Sequence, residues 1–145
     1  MKETALTFIG HGTCYGIDKE MIKTVLRQLI ADKGIDTFYS GGMGDFDWVC
    51  ARAVYELKAE FPHIRNYLVI PYLSFTIRNK DIFDEIIYPE GFEKYYFKAA
   101  ITKRNHFLVD NAGYAVCYVK HDWGGAAQTF KYAQKKKIQI INVGA

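Results

Sequence analysis

The residues of this chain that could do chemistry lie in four short stretches, three of them rich in glycine. Gly10-His11-Gly12, Ser40-Gly41-Gly42-Met43-Gly44-Asp45-Phe46-Asp47, Pro71-Tyr72 and Asp122-Trp123-Gly124-Gly125-Ala126 each follow an apolar run. Loops stripped of side chains let backbone N–H groups approach a ligand closely, and a helix that begins there adds partial positive charge. A nucleotide or a similar polar small molecule suits such a surface. The two longer loops differ. Asp45 and Asp47 fall in the first turn of the helix after Gly44, where they can cap it but would repel a phosphate. They suit ribose hydroxyls or an exocyclic amine, or serve as plain helix caps. Gly124-Gly125-Ala126-Ala127-Gln128-Thr129 has no acid in its first turn, so a phosphate fits better there, and Thr129 could add a hydroxyl.

His11, His121 and Asp122 can act as polar contacts or as acid–base groups; no residue is assigned a catalytic role. Arg104 and Asn105 sit on a helix that feeds a strand, and read either as pocket residues or as members of a helix-face ion pair. His63, next to Pro62, is expected at the opposite end. No two His or Cys have the spacing of a metal site, so no metal is expected. Gly10-His11-Gly12-Thr13-Cys14-Tyr15-Gly16 starts like a dinucleotide fingerprint but places its last glycine one residue late. Tyr39-Ser40 stands where that fingerprint needs an acid, which argues against an ordinary NAD-dependent dehydrogenase.

These loops need a sheet to hold them. Residues 4–9, 36–39, 67–70, 114–119 and 138–143 read as short buried strands. Between the first two, Ile22, Val25, Leu26, Leu29 and Ile30 form a helical stripe that starts at Asp18 and stops at Gly34. Phe46, Val49, Cys50, Ala53 and Leu57 form the next, ending near Phe61-Pro62. Further helices are expected from about Tyr96 to Val109 and from Ala126 to Lys137. Strands alternating with helices predict an α/β, three-layer Rossmann-like fold with a five-stranded parallel sheet in the order 3-2-1-4-5. Ligands of such sheets bind beyond the carboxyl ends of the strands, between the first and the fourth. Every glycine cluster falls on that rim.

Residues 72–99 break the rhythm and hold much of the aromatic surplus: 11 Tyr and 10 Phe raise aromatics to 16% of the chain. Short helical pieces are expected around Lys80–Ile87 and from Glu93 onward. This insert reads as a layer covering the sheet edge, or as a wall whose rings stack on a base.

At 145 residues the chain is the size of one domain, spanning 1–145, with a core of its own. A net charge of +3 is too small to imply nucleic-acid binding, and Lys135-Lys136-Lys137 reads as a solvated helix end. Three cysteines without a CxxC pair, and the lack of a signal-peptide pattern or a long apolar run, lead us to expect a cytoplasmic protein without disulfides or membrane spans.

Ile9-Gly10-His11, Tyr39-Ser40-Gly41-Gly42-Met43-Gly44-Asp45-Phe46-Asp47, Val69-Ile70-Pro71-Tyr72, Arg104-Asn105 with Val109-Asp110, and Gly124-Gly125 resemble, in order, the YpsA-like branch of the SLOG superfamily. The resemblance implies a Rossmann-like domain that binds nucleotide-derived ligands, as sensor or enzyme. Related branches include the cytokinin-activating phosphoribohydrolases and the DNA-uptake protein DprA. Two positions depart from the pattern. Gly12 stands where family members often carry Arg, and Asp122-Trp123-Gly124-Gly125-Ala126-Ala127-Gln128-Thr129 lacks the final glutamate of the phosphoribohydrolase signature P-G-G-x-G-T-x-x-E. The leading reading is a binder or sensor of an ADP-ribose-like or signalling nucleotide, with no cofactor assigned and a homo-oligomer expected by analogy. The alternative is cleavage of an N-glycosidic bond, with Asp45, Asp47 or Asp110 as the carboxylate. Single-stranded DNA binding, by analogy with DprA, is disfavoured by the charge.

Overall fold

The computed structural model describes residues 2–145. Its elements, in chain order, are β1 (Ala5–Gly10), α1 (Lys19–Lys33), β2 (Thr37–Ser40), α2 (Asp45–Leu57), β3 (Arg65–Val69), β4 (Glu85–Ile87), α3 (Phe97–Asp110), β5 (Tyr114–Tyr118), α4 (Gly125–Lys135) and β6 (Gln139–Asn142). One sheet of six strands runs β4-β3-β2-β1-β5-β6, and every pair is parallel. The Rossmann-like α/β architecture and the build-out on both sides of β1 match the expectation. The strand count does not.

The sixth strand lies inside the aromatic insert, where residues around Lys80–Ile87 read as helical. Only Lys80–Ile82 forms a helical turn, of the 3-10 type; Glu85–Ile87 then pairs with β3, Leu68 opposite Ile86 and Val69 opposite Ile87. A three-residue strand is too short to show a period of two, and its conformation comes from the edge it covers. Asp84 secures that edge. Its carboxylate accepts from Lys58 Nζ at 2.6 and 2.7 Å and from the Asn66 N–H at 2.8 Å.

Helices α1 and α2 cover one face of the sheet. Ile22, Leu26 and Ile30 of α1 and Cys50, Val54 and Leu57 of α2 close over Leu6, Phe8, Phe38 and Val116. On the other face Val109 of α3 and Ala133 of α4 meet Ile9, Ala115 and Cys117. The caps of α1 follow from its sequence: Asp18 accepts from the Glu20 N–H at 2.9 Å, and Gly34 takes the left-handed conformation at φ 68°. Helix α2 is buried on more sides than one stripe predicts, because Trp48 and Ala51 also face the insert, beside Ile82 and Phe83. Since all strands are parallel, the loops after β1, β2, β3 and β5 gather on one rim.

Candidate functional site

The rim is built around the gap between β1 and β5, where the chain reverses its direction of growth across the sheet. Gly10 ends β1 there. A Cβ on it would come within 2.3–2.6 Å of the Phe46 side chain, so only glycine lets the first loop leave the strand over α2. Gly44 is equally constrained, since a Cβ would meet Gly12 Cα at 2.5 Å. These two loops press together, and the Asp45 N–H donates to the Gly12 carbonyl at 2.9 Å.

The start of α2 is therefore occupied by the protein itself. Asp47, at the third helical position, turns back and accepts from the Met43 N–H at 3.1 Å and from the Gly44 N–H, as the third residue of a capping box does. Burial raises its carboxyl above the ordinary carboxylate value, while Met43, Arg104 and Gly44 pull it down. Asp45 is exposed and faces away, into a separate hollow beside Arg52 and Arg78.

The start of α4 is open. Gln128 N–H makes the first helical bond, to the Gly124 carbonyl at 3.1 Å, leaving the N–H groups of Gly125, Ala126 and Ala127 ahead of it. Gly124 holds φ 92° and ψ 175°, a region essentially restricted to glycine, and no atom lies within 4 Å of where a Cβ would stand on Gly124 or Gly125. Thr129, whose hydroxyl could have reached a ligand, instead donates to the Gly125 carbonyl at 3.0 Å.

Between these helix ends lies a crevice of about 200 Å³, lined by Gly10, Gly41, Asp47, Arg104, Asn105 and Gly125 among others. Arg104 is its main charged wall. The side chain is 1% exposed; Nη1 donates to the carbonyls of Gly41 at 2.7 Å and Val69 at 2.9 Å, and Nε donates to Asn105 Oδ1 at 3.0 Å. Burial lowers its pKa to about 10, with Asp47 and Tyr72 opposing, so it stays protonated at neutral pH. It ties the ends of β2 and β3 together from beneath and presents charge to the crevice.

A wider hollow of about 420 Å³ continues from Gly10, Gly125 and Ala126 to His11, Gly12, Thr13, His121 and Trp123. Three rings stack along it. His11 lies 3.7 Å from His121, and His121 lies 3.8 Å from Trp123, at interplanar angles of 11° and 15°. His11 Nε2 accepts from the Lys120 N–H at 2.9 Å, which leaves the proton of the neutral ring on Nδ1. Burial first, and His121 second, lower its pKa.

Of the residues singled out by sequence, the crevice and the ring-walled hollow bring together Gly10, His11, Gly12, Gly41, Asp47, Arg104, Asn105, Gly124, Gly125 and Ala126. Gly42 and Tyr72 line a third cavity, with Trp48 and Phe75. Ser40 is 0% exposed with its hydroxyl unpartnered, and Pro71 is buried, so both belong to the strand ends beneath the rim. Gly44 is spent on the contact with Gly12. Asp122 lies outside the crevice, where its carbonyl accepts from Lys131. Asp110 falls at the opposite end of the sheet. It terminates α3 ahead of β5, accepts from the Tyr132 hydroxyl at 2.8 Å and lies 3.9 Å from Lys136. A carboxylate there cannot reach a ligand on the rim. Sequence reading places Met43 and Thr13 in rim loops without giving them a role and passes over Ile101, because nothing in their types distinguishes them from packing or loop residues. Among the described residues no group of three or more His, Cys, Asp and Glu could hold a metal ion, and no helix is long and apolar enough to cross a membrane.

A parallel sheet with its glycine loops at the strand ends defines a Rossmann-like α/β domain. The chain belongs to the YspA SLOG family (YpsA), whose profile matches residues 8–142. It is 25% identical over 137 residues to the uncharacterized SPbeta prophage-derived protein YoqJ of Bacillus subtilis (strain 168), covering 81% of this chain and 80% of that one. It is 26% identical over 136 residues to a UPF0398 protein of Oenococcus oeni (strain ATCC BAA-331 / PSU-1), covering 83% and 71%. In fold it is similar to DNA processing protein A of Helicobacter pylori, whose structure concerns single-stranded DNA binding, with a TM-score of 0.67 at 16% identity. The DNA processing protein A of Streptococcus pneumoniae gives 0.56 at 11%. The chain spans 64% and 59% of the length of those two structures, and at these identities the likeness concerns the fold alone.

Proposed function

We propose that this protein binds a nucleotide-derived small molecule, such as an ADP-ribose-like or signalling nucleotide, in the crevice between β1 and β5. The observation that carries the reading is the contrast between the two helix starts. The Met43, Gly44 and Asp45 amides that lead into α2 are taken up by Asp47 and Gly12, whereas α4 starts on uncrowded glycine backbone that shares the crevice with a protonated, buried Arg104. A phosphate on Gly125 and Ala126 meets three amides and a helix dipole with no carboxylate in the first turn. The sugar then falls toward Asn105 and the Asp47 carboxylate, and a base has the ring column of His121 and Trp123 within the adjoining hollow.

Asp47 supports binding better than hydrolysis, because both of its known partners are amides of its own helix start. A melting-temperature screen against nucleoside phosphates, ADP-ribose, NAD and cyclic dinucleotides tests the reading, with product analysis of every hit. A ligand at 100-fold over its dissociation constant should stabilise the protein by about 2.7 kcal/mol. The discriminating variant is Gly125→Ala. Its methyl group enters open space, so the fold should be unharmed while phosphate affinity falls. A panel without any shift would sink the proposal, and turnover abolished by Asp47→Asn would replace it with N-glycosidic cleavage.

A further inference from the structure

The cavity on the far side of Met43 has no part in the site above, and its walls have their own chemistry. It measures about 290 Å³ and is lined by Gly42, Met43, Trp48, Tyr72, Phe75 and Arg78, with Thr76 at its edge. Tyr72 and Phe75 stand at 69° to one another with centroids 5.9 Å apart, and Phe97 backs Tyr72 at 4.4 Å. Two perpendicular ring walls let a flat guest stack on one and meet the edge of the other. Trp48, 9% exposed, forms the third wall. The chain is bent tightly to leave this space. Gly42 has φ 65°, and a Cβ on it would lie 2.7 Å from Leu68, 3.4 Å from Trp48 and 3.7 Å from Phe75.

The mouth is basic. Arg78 is exposed and rests over the Trp48 ring at 5.5 Å, and among the described residues no carboxylate lies within ion-pairing distance of it. Next to it, in a hollow that shares Trp48 and Arg78, lie Arg52, also without an ion pair, and Lys19, which is paired with Glu56. Asp45 is the one carboxylate on that hollow's lining. A guanidinium held only by a ring face is free to turn to an anion, where charge-assisted, bidentate hydrogen bonds are stronger.

We propose that this cavity is a second binding site, for a planar aromatic ring that carries an anionic group, with the ring held by Trp48, Tyr72 and Phe75 and the anion by Arg78. The two cavities share Met43 as a wall, and the Phe75 ring lies 5.9 Å from the Arg104 guanidinium carbon. An occupant here therefore bears on the same arginine that walls the crevice.

The chain has two tryptophans, Trp48 and Trp123, one in each site. Trp123→Phe leaves Trp48 as the single fluorophore, and Trp48→Phe leaves Trp123. In the folded Trp123→Phe protein, AMP should change Trp48 emission saturably, adenosine should do so with about tenfold weaker affinity, and phosphate alone should do nothing. Arg78→Gln should bring AMP down to the level of adenosine, and Phe75→Leu should weaken both. Silence of Trp48 toward AMP and adenosine at millimolar concentration would overturn the proposal, whatever Trp123 reports. Equal affinity for AMP and adenosine would overturn the role of Arg78. A Trp48 response that vanishes with Gly125→Ala would assign the signal to the crevice and overturn the second site, while a Trp123 response lost in that variant supports the crevice independently.

Discussion

Replacing Arg104 by Met would leave the carbonyls of Gly41 and Val69 buried without a donor and Asp47 without its nearby cation. The expected cost is about 3 kcal/mol, less than the sum of the lost bonds because the desolvation of the guanidinium is relieved too. Equilibrium denaturation measures it, and a loss under 1 kcal/mol would mean that the strand ends do not depend on this side chain. Gly10→Ala is expected to destabilise by about 1–3 kcal/mol for a different reason, since its methyl overlaps the fully buried Phe46. The thiols should behave alike and inertly. Cys14, Cys50 and Cys117 are all buried, and burial raises Cys14 to about 11 and Cys117 to about 12. A disulfide-exchange reagent should label them slowly in the native protein and all three promptly in denaturant.

Two elements, one on the rim and one at the sheet edge away from it, respond to acid in ways set by their partners. In the loop from β5 to α4, a proton added to His11 Nε2 would displace the Lys120 N–H bond and place a cation against His121. Its folded pKa is lowered below the unfolded value of about 6.5. The unfolded chain therefore binds the proton first, and the stability this ring lends is complete above pH 6.5 and falls as pH drops below it. Histidine NMR should give His11 a midpoint below 6.5; a midpoint above it would contradict a neutral His11 ring that accepts from the Lys120 N–H. The strand β4 answers to Asp84. Burial opposes its charge, but Lys58 and the Asn66 N–H hold the carboxyl below its ordinary value. That contribution is present above the unfolded carboxylate value and is lost as pH falls through the lower, folded one. Asp84→Ala should loosen residues 72–87 alone, seen as faster proteolysis there with the rest of the chain protected.

The sheet as a whole was legible wherever a period or a punctuating residue marked an element. The stripe from Ile22 to Ile30 between Asp18 and Gly34 is such a case, and so is the pile-up of glycines at strand ends, which marks the rim. Glu85–Ile87 left no such mark, and neither did the choice of which helix start would be free. Asp45 and Asp47 were both readable as caps or as ligands, and what separates them is a return of three residues along α2 that places Asp47 on its own amides and Asp45 outside. Arg104 could be picked out as a residue of interest, but its burial is a consequence of the ends of β2 and β3 converging on it. Such facts are made by contacts far apart in sequence.

The same arrangement governs how the molecule should open. Strands β1 and β5 lie at the centre of the sheet, and their side chains enter both helical layers: Leu6, Phe8 and Val116 under α1 and α2, Ile9, Ala115 and Cys117 under α3 and α4. Neither layer can leave without exposing a strand that the other needs, so the amides of β1, β2 and β5 should exchange only through global unfolding. The insert is attached otherwise. Its strand has three residues, its cluster with Trp48 is separate from the main core, and its outer ring residues Tyr96 and Phe97 are 90% and 63% exposed. Native-state hydrogen exchange across a denaturant series should show the Ile70 N–H, bonded to Ile87, and the Asp84 N–H, bonded to Asn66, opening at a lower free energy and with a smaller denaturant dependence than the Phe8 and Val116 amides. If all four merge on one isotherm at low denaturant, the insert is an integral part of the folding unit. A separate isotherm would instead make it the element able to open over the Trp48 cavity while the sheet and the crevice stay intact.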